Sequence, residues 1–496
     1  MSLSGALSIA TGSLANINSQ LALVSQNVAN ASTPGYAAEI ATQSSITADG
    51  KGLGVRTGLT IRNIDTTLQS ELLGQNATVA GLQTRQTALQ AIDAAQGTPG
   101  QGSDIASLLG KLQDQFSTLL NDPGSSPQQG QVVSAAQTLA QGISALSATY
   151  TTQRQTAEDN LVSEVATLNS TLGTIGTLST QIVTLKASGR STADLENQRD
   201  AAVANLSQLV DLKVLEQPNG DLLVATTAGL VLPIHGTANP FSIVGANMQP
   251  GSNYPATIGG IMLGGADVTS QLQGGQIGAN VALRDKTLPT DQAELDEFAQ
   301  NLASRFDTEG LRLFTDPSGN VPAPSAPPAP VQSNYVGFAG TIQVNPAVLA
   351  KPSLVRDGTA GANPNNLAGY TGVVQNVLDY TFGADQSAGV PWPASNTTGL
   401  GAAGALNAPY TAPPTIGGLA STVLASQAQE SAAIGAQADT QQAVQTTLAN
   451  KLSTQSGVNM DTEMSHMIQL QSAYGANARI LTTVQAMFTQ LLQAVQ

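Results

Sequence analysis

Catalysis needs side chains that move protons, hold metal ions or attack an electrophile, and this chain of 496 residues is poor in all three. It has no cysteine, which removes disulfides, thiol nucleophiles and every Cys-containing metal site, and which suits a chain threaded unfolded through a narrow exporter. Its two histidines, His235 and His466, sit in unrelated surroundings with no reason to meet, so zinc hydrolysis and a histidine-based triad are not expected. The densest carboxylate group, Asp291, Glu294, Asp296 and Glu297, fills the first turns of an amphipathic helix beginning at Pro289. Carboxylates favour that end of a helix, and these read as solvated partners of its dipole. No glycine-rich stretch ends in Gly-Lys-Ser/Thr, and Gly259-Gly260 and Gly264-Gly265 lack the βαβ setting of a dinucleotide site, so they read as turns. Trp392, between Pro391 and Pro393, reads as the cap of a small core. No catalytic residue, metal or cofactor is expected.

The spacing that does carry chemistry is the chemistry of association. The first 38 residues hold no formal charge, yet Leu3, Leu7, Ala10, Leu14, Ile17, Leu21, Val24 and Val28 recur in alternating fours and threes. That is a heptad seam on a helix. The alternation returns at the other end through Met460, Met464, Met467, Gln471, Tyr474, Ala478, Leu481, Gln485, Phe488, Leu492 and Val495. An isolated helix cannot hide such a stripe, and roughly 0.8 kcal/mol per buried methylene favours hiding it. The other faces carry neutral Asn16, Asn18, Gln20, Gln26, Asn27, Gln469, Gln490 and Gln493 in place of Lys and Glu, as suits surfaces that pack in an assembly. Self-association into a helical homo-oligomer is the expectation.

Composition narrows the rest. A net charge of −15 with only 18 Lys and Arg speaks against nucleic acid as partner. The start lacks the basic head and apolar run of a secretory signal, and no segment approaches the roughly 20 apolar residues of a membrane span. An aromatic content of 3% suits long helices with thin seams better than a dense enzyme core.

The fold expected is multidomain: an all-α coiled-coil terminal domain and a helical-rod domain, with outer β-rich modules inserted mid-chain. Residues 1–62 with 456–496 form the terminal assembly domain. Its first helix stops near Asn30, because Thr33-Pro34-Gly35-Tyr36 places Pro and Gly where a type II turn wants them, and an extended stretch follows to about Arg62. Residues 63–211 with 419–455 form the rods, from the periodicity of Leu68, Leu72, Val79 and Leu82, of Ile105 to Leu119, and of Leu161 to Ile182. A β-rich module occupies 212–318, opening with a hairpin at Pro218-Asn219-Gly220 and interrupted by the helix 289–313. Residues 319–418 are a Pro- and Gly-rich linker with an outer module.

Asn27-Val28-Ala29-Asn30-Ala31-Ser32-Thr33-Pro34-Gly35-Tyr36 resembles the signature of the bacterial flagellar rod, hook and hook-associated protein superfamily. Ser456 to Asp461 leading into Gln471 to Arg479, Asp194 to Asp200, and Gly274 to Gly278 with Leu283-Arg284-Asp285 and Leu288-Pro289 resemble its hook-associated members at the hook–filament junction. The resemblance covers about two thirds of the chain. It implies a non-enzymatic structural subunit, exported unfolded by the flagellar type III apparatus to the cell exterior. It also implies contact with hook protein, with the next hook-associated protein and with a cytoplasmic export chaperone. Assembly then rests on Leu3, Leu7, Leu14, Ile17, Leu21, Val24, Val28, Asn30, Pro34, Gly35 and Tyr36 at the N-terminal seam and turn. Met460, Met464, Met467, Tyr474, Leu481, Phe488 and Leu492 serve assembly and the chaperone at the other end. Rival readings are a hook or distal-rod subunit, a secreted adhesin or binding protein acting through residues 212–417, and a wall hydrolase in the outer module.

Overall fold

The structure, a computed structural model, describes residues 3–48, 51–97 and 100–494. Val495 of the C-terminal seam lies outside them. Helix accounts for 60% of the chain and the strands form only small sheets. The first helix, α1 (Leu3–Asn30), ends at a turn in which the Tyr36 amide donates to the Thr33 carbonyl at 3.2 Å and Gly35 sits at φ 77°. A positive φ at the third position of a Pro-Gly turn is the type II geometry. An antiparallel hairpin follows, β1 (Glu39–Ala48) with β2 (Lys51–Arg62).

The body is built on long helices: α2 (Thr66–Gln96), α3 (Ile105–Asn121), the 62-residue α4 (Ser126–Ala187) and α5 (Ala193–Leu209). Asp65 caps α2, its carboxylate accepting from the Thr67 and Leu68 amides, and so satisfies donors the helix start leaves open. α4 serves two cores because its apolar residues keep to one stripe over its whole length. Leu161, Val165, Leu168, Leu172 and Ile175 meet Val203 and Leu206 of α5 and the hairpin β3 (Leu212–Glu216) with β4 (Leu222–Thr226). Val132, Leu139, Ile143 and Tyr150 meet α3, the helix α7 (Leu288–Thr308) and α8 (Ile416–Ser456). Phe306 of α7 centres that second core, its ring 5.5–5.8 Å from Phe116, Phe314 and Phe382. Tyr335, Phe338, Val348, Val373 and Val377, beyond the proline-rich stretch, join the same core. The last helix, α9 (Met460–Ala494), returns along α1.

The middle of the chain holds less strand than its turn-rich sequence suggests. The hairpin around Asn219-Gly220 is there, with five regular pairs, but Phe241–Ser242, Met262–Leu263 and Ala266–Asp267 are strands of two residues each. Residues 275–286, expected within the β-rich stretch, are helical: α6 (Gly275–Ala282) runs through one π-helical turn at Leu283–Thr287 into α7. Gly275 makes this possible, since at φ 60° any Cβ would stand 2.5 Å from the Leu209 carbonyl.

The acidic residues of α7 are not solvated. Every residue from Asp291 to Gln300 is buried, because α4, α8 and the 332–339 segment enclose this helix on all sides. Asp296 accepts the Gly337 and Ala339 amides at 2.7 and 2.9 Å, and Glu297 accepts Tyr335 Oη and the Asn396 amide, both at 2.7 Å. Glu294 accepts Gln427 Nε2 from α8. Burial lifts the Glu294 and Asp296 carboxyls to about 7 and pushes Asp291 well above its ordinary value. Asp296 and Glu297 thus satisfy backbone amides of neighbouring loops and act as struts. Trp392 is half-buried, its ring beneath the Arg305 guanidinium at 4.9 Å and its Nε1 donating to the Tyr380 carbonyl.

Candidate functional site

The two ends of the chain meet in one antiparallel helix pair. On α1, Ala10, Ile17 and Val24, spaced by seven, are buried, while Leu3, Leu7, Leu14, Leu21 and Val28 are half-buried. On α9, Val484 is buried; Glu463, Met467, Leu470, Asn477, Leu481 and Phe488 are half-buried. From Met467 the apolar steps can run four-three, through Gln471 and Gln485, or three-four, through Leu470 and Val484, and the packing within one chain uses the second. Met460, Met464, Tyr474 and Leu492 face outward at 42–66% exposure, as do Ile468, Ile480, Met487 and Leu491. Within one chain α1 covers only one side of α9.

Two residues of the neutral face of α1 are covered by the chain itself, while Asn18 stays exposed. Asn16 is buried, its Oδ1 accepting Thr57 Oγ1 of β2 at 2.6 Å, so the inner face of the hairpin lies on α1. Asn27 is buried still deeper and joins four elements. Its Oδ1 accepts the Glu39 amide and Tyr36 Oη, both at 3.1 Å, and its Nδ2 donates to the Glu39 carbonyl at 2.9 Å and to Glu463 Oε1 of α9 at 3.0 Å. Pro34 and Gly35 are exposed at the turn, and Asn30 and Tyr36 are half-buried.

From this elbow the chain is bolted to the body. Ala37 is gripped by Asn197 of α5, which accepts its amide and donates to its carbonyl. Arg62, at the far end of the hairpin, donates to Glu196 at 3.0 Å, to Asp200 at 2.7 Å and to Asn197 at 3.2 Å. Ser456, the last residue of α8, accepts the Ala38 amide on its carbonyl and the Asp65 amide on its hydroxyl. Burial raises the Glu39 carboxyl above its usual range, with Asp194 adding to the effect against the Asn197 hydrogen bond and Arg62. Tyr36 is raised by burial and by Glu39. The arrangement fixes the direction in which the two terminal helices leave the helical body.

The periodicity of the ends points to the seams; it puts Asn27 only on a neutral face and is silent on the roles of Glu39, Arg62, Asn197 and Ser456. A usable signal is present, since Arg62 ends its strand with no acid along it, and Glu196 and Asp200 stand four apart at helical spacing. The two histidines stay apart in role: His235 pairs with Asp221 at 3.1 Å, and His466 stands exposed on α9. Among the described residues no three His, Asp or Glu are placed to hold a metal ion.

Residues 89–311, from α2 through α7, match the family model of the flagellar hook-associated protein FlgK helical domain. Residues 452–494, the end of α8 and α9, match that of the flagellar basal body rod FlgEFG protein C-terminal. The chain is similar to flagellar hook-associated protein 1. The protein of that name from Bacillus subtilis (strain 168) is 25% identical over 223 residues, which are 42% of this chain and 44% of that one. Among solved structures, the flagellar hook junction protein FlgK from Burkholderia pseudomallei is 26% identical, with a TM-score of 0.41 over 52% of this chain and 47% of that one. The chain spans somewhat under half the length of each of these relatives. No helix among the described residues is long and apolar enough to cross a membrane.

Proposed function

We propose that this chain is a structural, non-catalytic subunit of the bacterial flagellum that polymerises at the hook–filament junction through its terminal helices. The observation that carries this reading is the pairing of α1 with α9, which leaves eight large apolar side chains of α9 in water, in a chain whose helical body and last helix both match flagellar family models. An uncovered stripe of that size marks an interaction surface. Residues 1–62 with 456–496 act as the assembly unit, the seam residues of both helices meeting those of neighbouring copies, and the segments between form the body and its outer modules. Hook protein lies on one side and the next hook-associated protein on the other.

Such a subunit reaches the cell exterior unfolded through the flagellar type III apparatus. Before export the stripe of α9 is an aggregation hazard, and a cytoplasmic helical chaperone holding it in a groove is the natural protection. A peptide spanning residues 458–496 then suffices for chaperone binding; equal binding to a chain truncated at Ser456 excludes this. The decisive experiment on the reading as a whole is imaging of cells that lack the chain. Hooks form, filaments do not, and filament protein appears in the medium; normal filaments refute the junction role.

A further inference from the structure

The hairpin β1–β2 has two unlike faces. Thr57 points to α1, and Glu39 and Arg62, directly opposite each other in the register, turn into the elbow on that same inner side. Ile40 and Ile61, also directly opposite each other, lie on the other side, at 49% and 51% exposure, with Leu59 and Ile46 exposed nearby. Ser44 pairs with Arg56 further along that outer face, and Arg56 makes no ion pair among the described residues. A two-stranded ribbon is marginal in water without an apolar face covered. This one has the apolar face outward.

A surface of opposite charge with its own apolar residues exists on the same molecule. Asp461, Met464 and Ile468 of α9, spaced i, i+3 and i+7, share a flank turned away from α1, and all three are exposed. Asp461, like Arg56, has no ion-pair partner among the described residues. The flank begins two residues before Glu463, which touches Asn27 at the root of the hairpin, so it runs on from a contact the chain already makes.

We infer that the outer face of the hairpin, through Ile40, Ile61 and Arg56, receives the Asp461–Met464–Ile468 flank of α9 from a second copy of this chain. This rests on the assembly reading above and names one of its contacts. The isoleucines cover Met464 and Ile468, and Arg56 meets Asp461. Because the two surfaces differ, the contact is head-to-tail and leaves one free surface of each kind at the ends, which is the condition for open helical growth.

The absence of native cysteine allows a direct test. Chains carrying Ile61→Cys and chains carrying Met464→Cys are produced together in cells whose own copy is replaced, and isolated flagella are oxidised. A covalent dimer is expected from the mixture and not from either variant alone, and a chain with both substitutions gives a ladder. In the mixture, adding Arg56→Glu cuts the dimer at least ten-fold, and adding Asp461→Arg to the other chain restores it. Chains present in flagella at normal amount but giving no mixed dimer, or a dimer from one variant alone, overturn the hairpin contact and leave the assembly reading intact. Absence even of the unsubstituted chain from flagella overturns both. The charge-reversed pair, in chains without cysteine, gives an independent readout as flagella-bound amount: lost with Arg56→Glu and regained with Asp461→Arg if the contact exists, unaffected by either if it does not.

Discussion

The side chain of Asn27 pairs with the backbone of Glu39 as a strand would, its Oδ1 taking the amide at 3.1 Å and its Nδ2 giving to the carbonyl at 2.9 Å. Glu39 is the first residue of β1, so a helix side chain stands where the ladder has no third strand. The primary amides of Asn and Gln set a donor and an acceptor side by side as a peptide group does, and Gln is longer by a methylene.

Replacing Asn27 by Leu leaves both Glu39 backbone groups buried without partners, at about 1–3 kcal/mol for each. The Glu39 amide is expected to exchange roughly a hundred-fold faster, while amides within α4 keep their rates. Hydrogen exchange read by mass spectrometry distinguishes these regions, and unchanged protection at Glu39 contradicts the role given to Asn27.

Arg62 is the ion-paired bolt between hairpin and body, with its side chain almost wholly buried against Glu196 and Asp200. Removing one partner of a buried pair costs about 3–5 kcal/mol. Arg62→Ala should therefore release the terminal unit, seen as new cleavage by a sparing amount of protease near residues 62–66, with the melting of the body unmoved. Equal protease resistance in both chains rules this out.

Leu14→Asp or Phe488→Asp places a carboxylate in a half-buried seam position, at a cost of several kcal/mol beyond the lost apolar contact, on the order expected for an unpaired buried charge. Incorporation into flagella should be abolished while residues 65–450 stay folded by circular dichroism. Normal incorporation of either variant removes that seam from the assembly.

The carboxyls within α7 set a pH dependence. Burial raises Glu294 and Asp296 to about 7 and lifts Asp291 well above its ordinary value, so the folded chain holds protons that the unfolded chain gives up near its ordinary carboxyl range. Stability from these groups is whole below about pH 4 and lost as pH rises toward 7. The thermal midpoint should fall between pH 5 and pH 8, and Glu294→Gln should flatten that fall. A midpoint that rises across this range has the opposite sign and refutes the assignment.

How far the sequence speaks differs by element. α1 and its turn are legible because Pro34-Gly35 and the heptad of Leu14, Ile17, Leu21 and Val24 act locally, each within a few residues. The register of α9 is not, because Leu470 and Gln471 both follow Met467 at seam spacing, and only the partner helix selects between them. The acids of α7 were misplaced for a similar reason: Asp296 faces the amides of Gly337 and Ala339, about forty residues on, and no local pattern announces donors at that distance. Asn16 and Asn27 read from the sequence as part of a neutral face suited to packing in an assembly, whereas the hairpin of the same chain folds back over them.

The 62-residue α4 spans about 93 Å at the usual helical rise, and both cores hang from it. An unkinked helix only curves gently, its solvent-side hydrogen bonds lengthening slightly, so α4 holds the two cores in one line. Whatever compliance the molecule has is then concentrated at the elbow, where Asn27, Asn197, Arg62 and Ser456 hold the terminal helices by a handful of polar contacts.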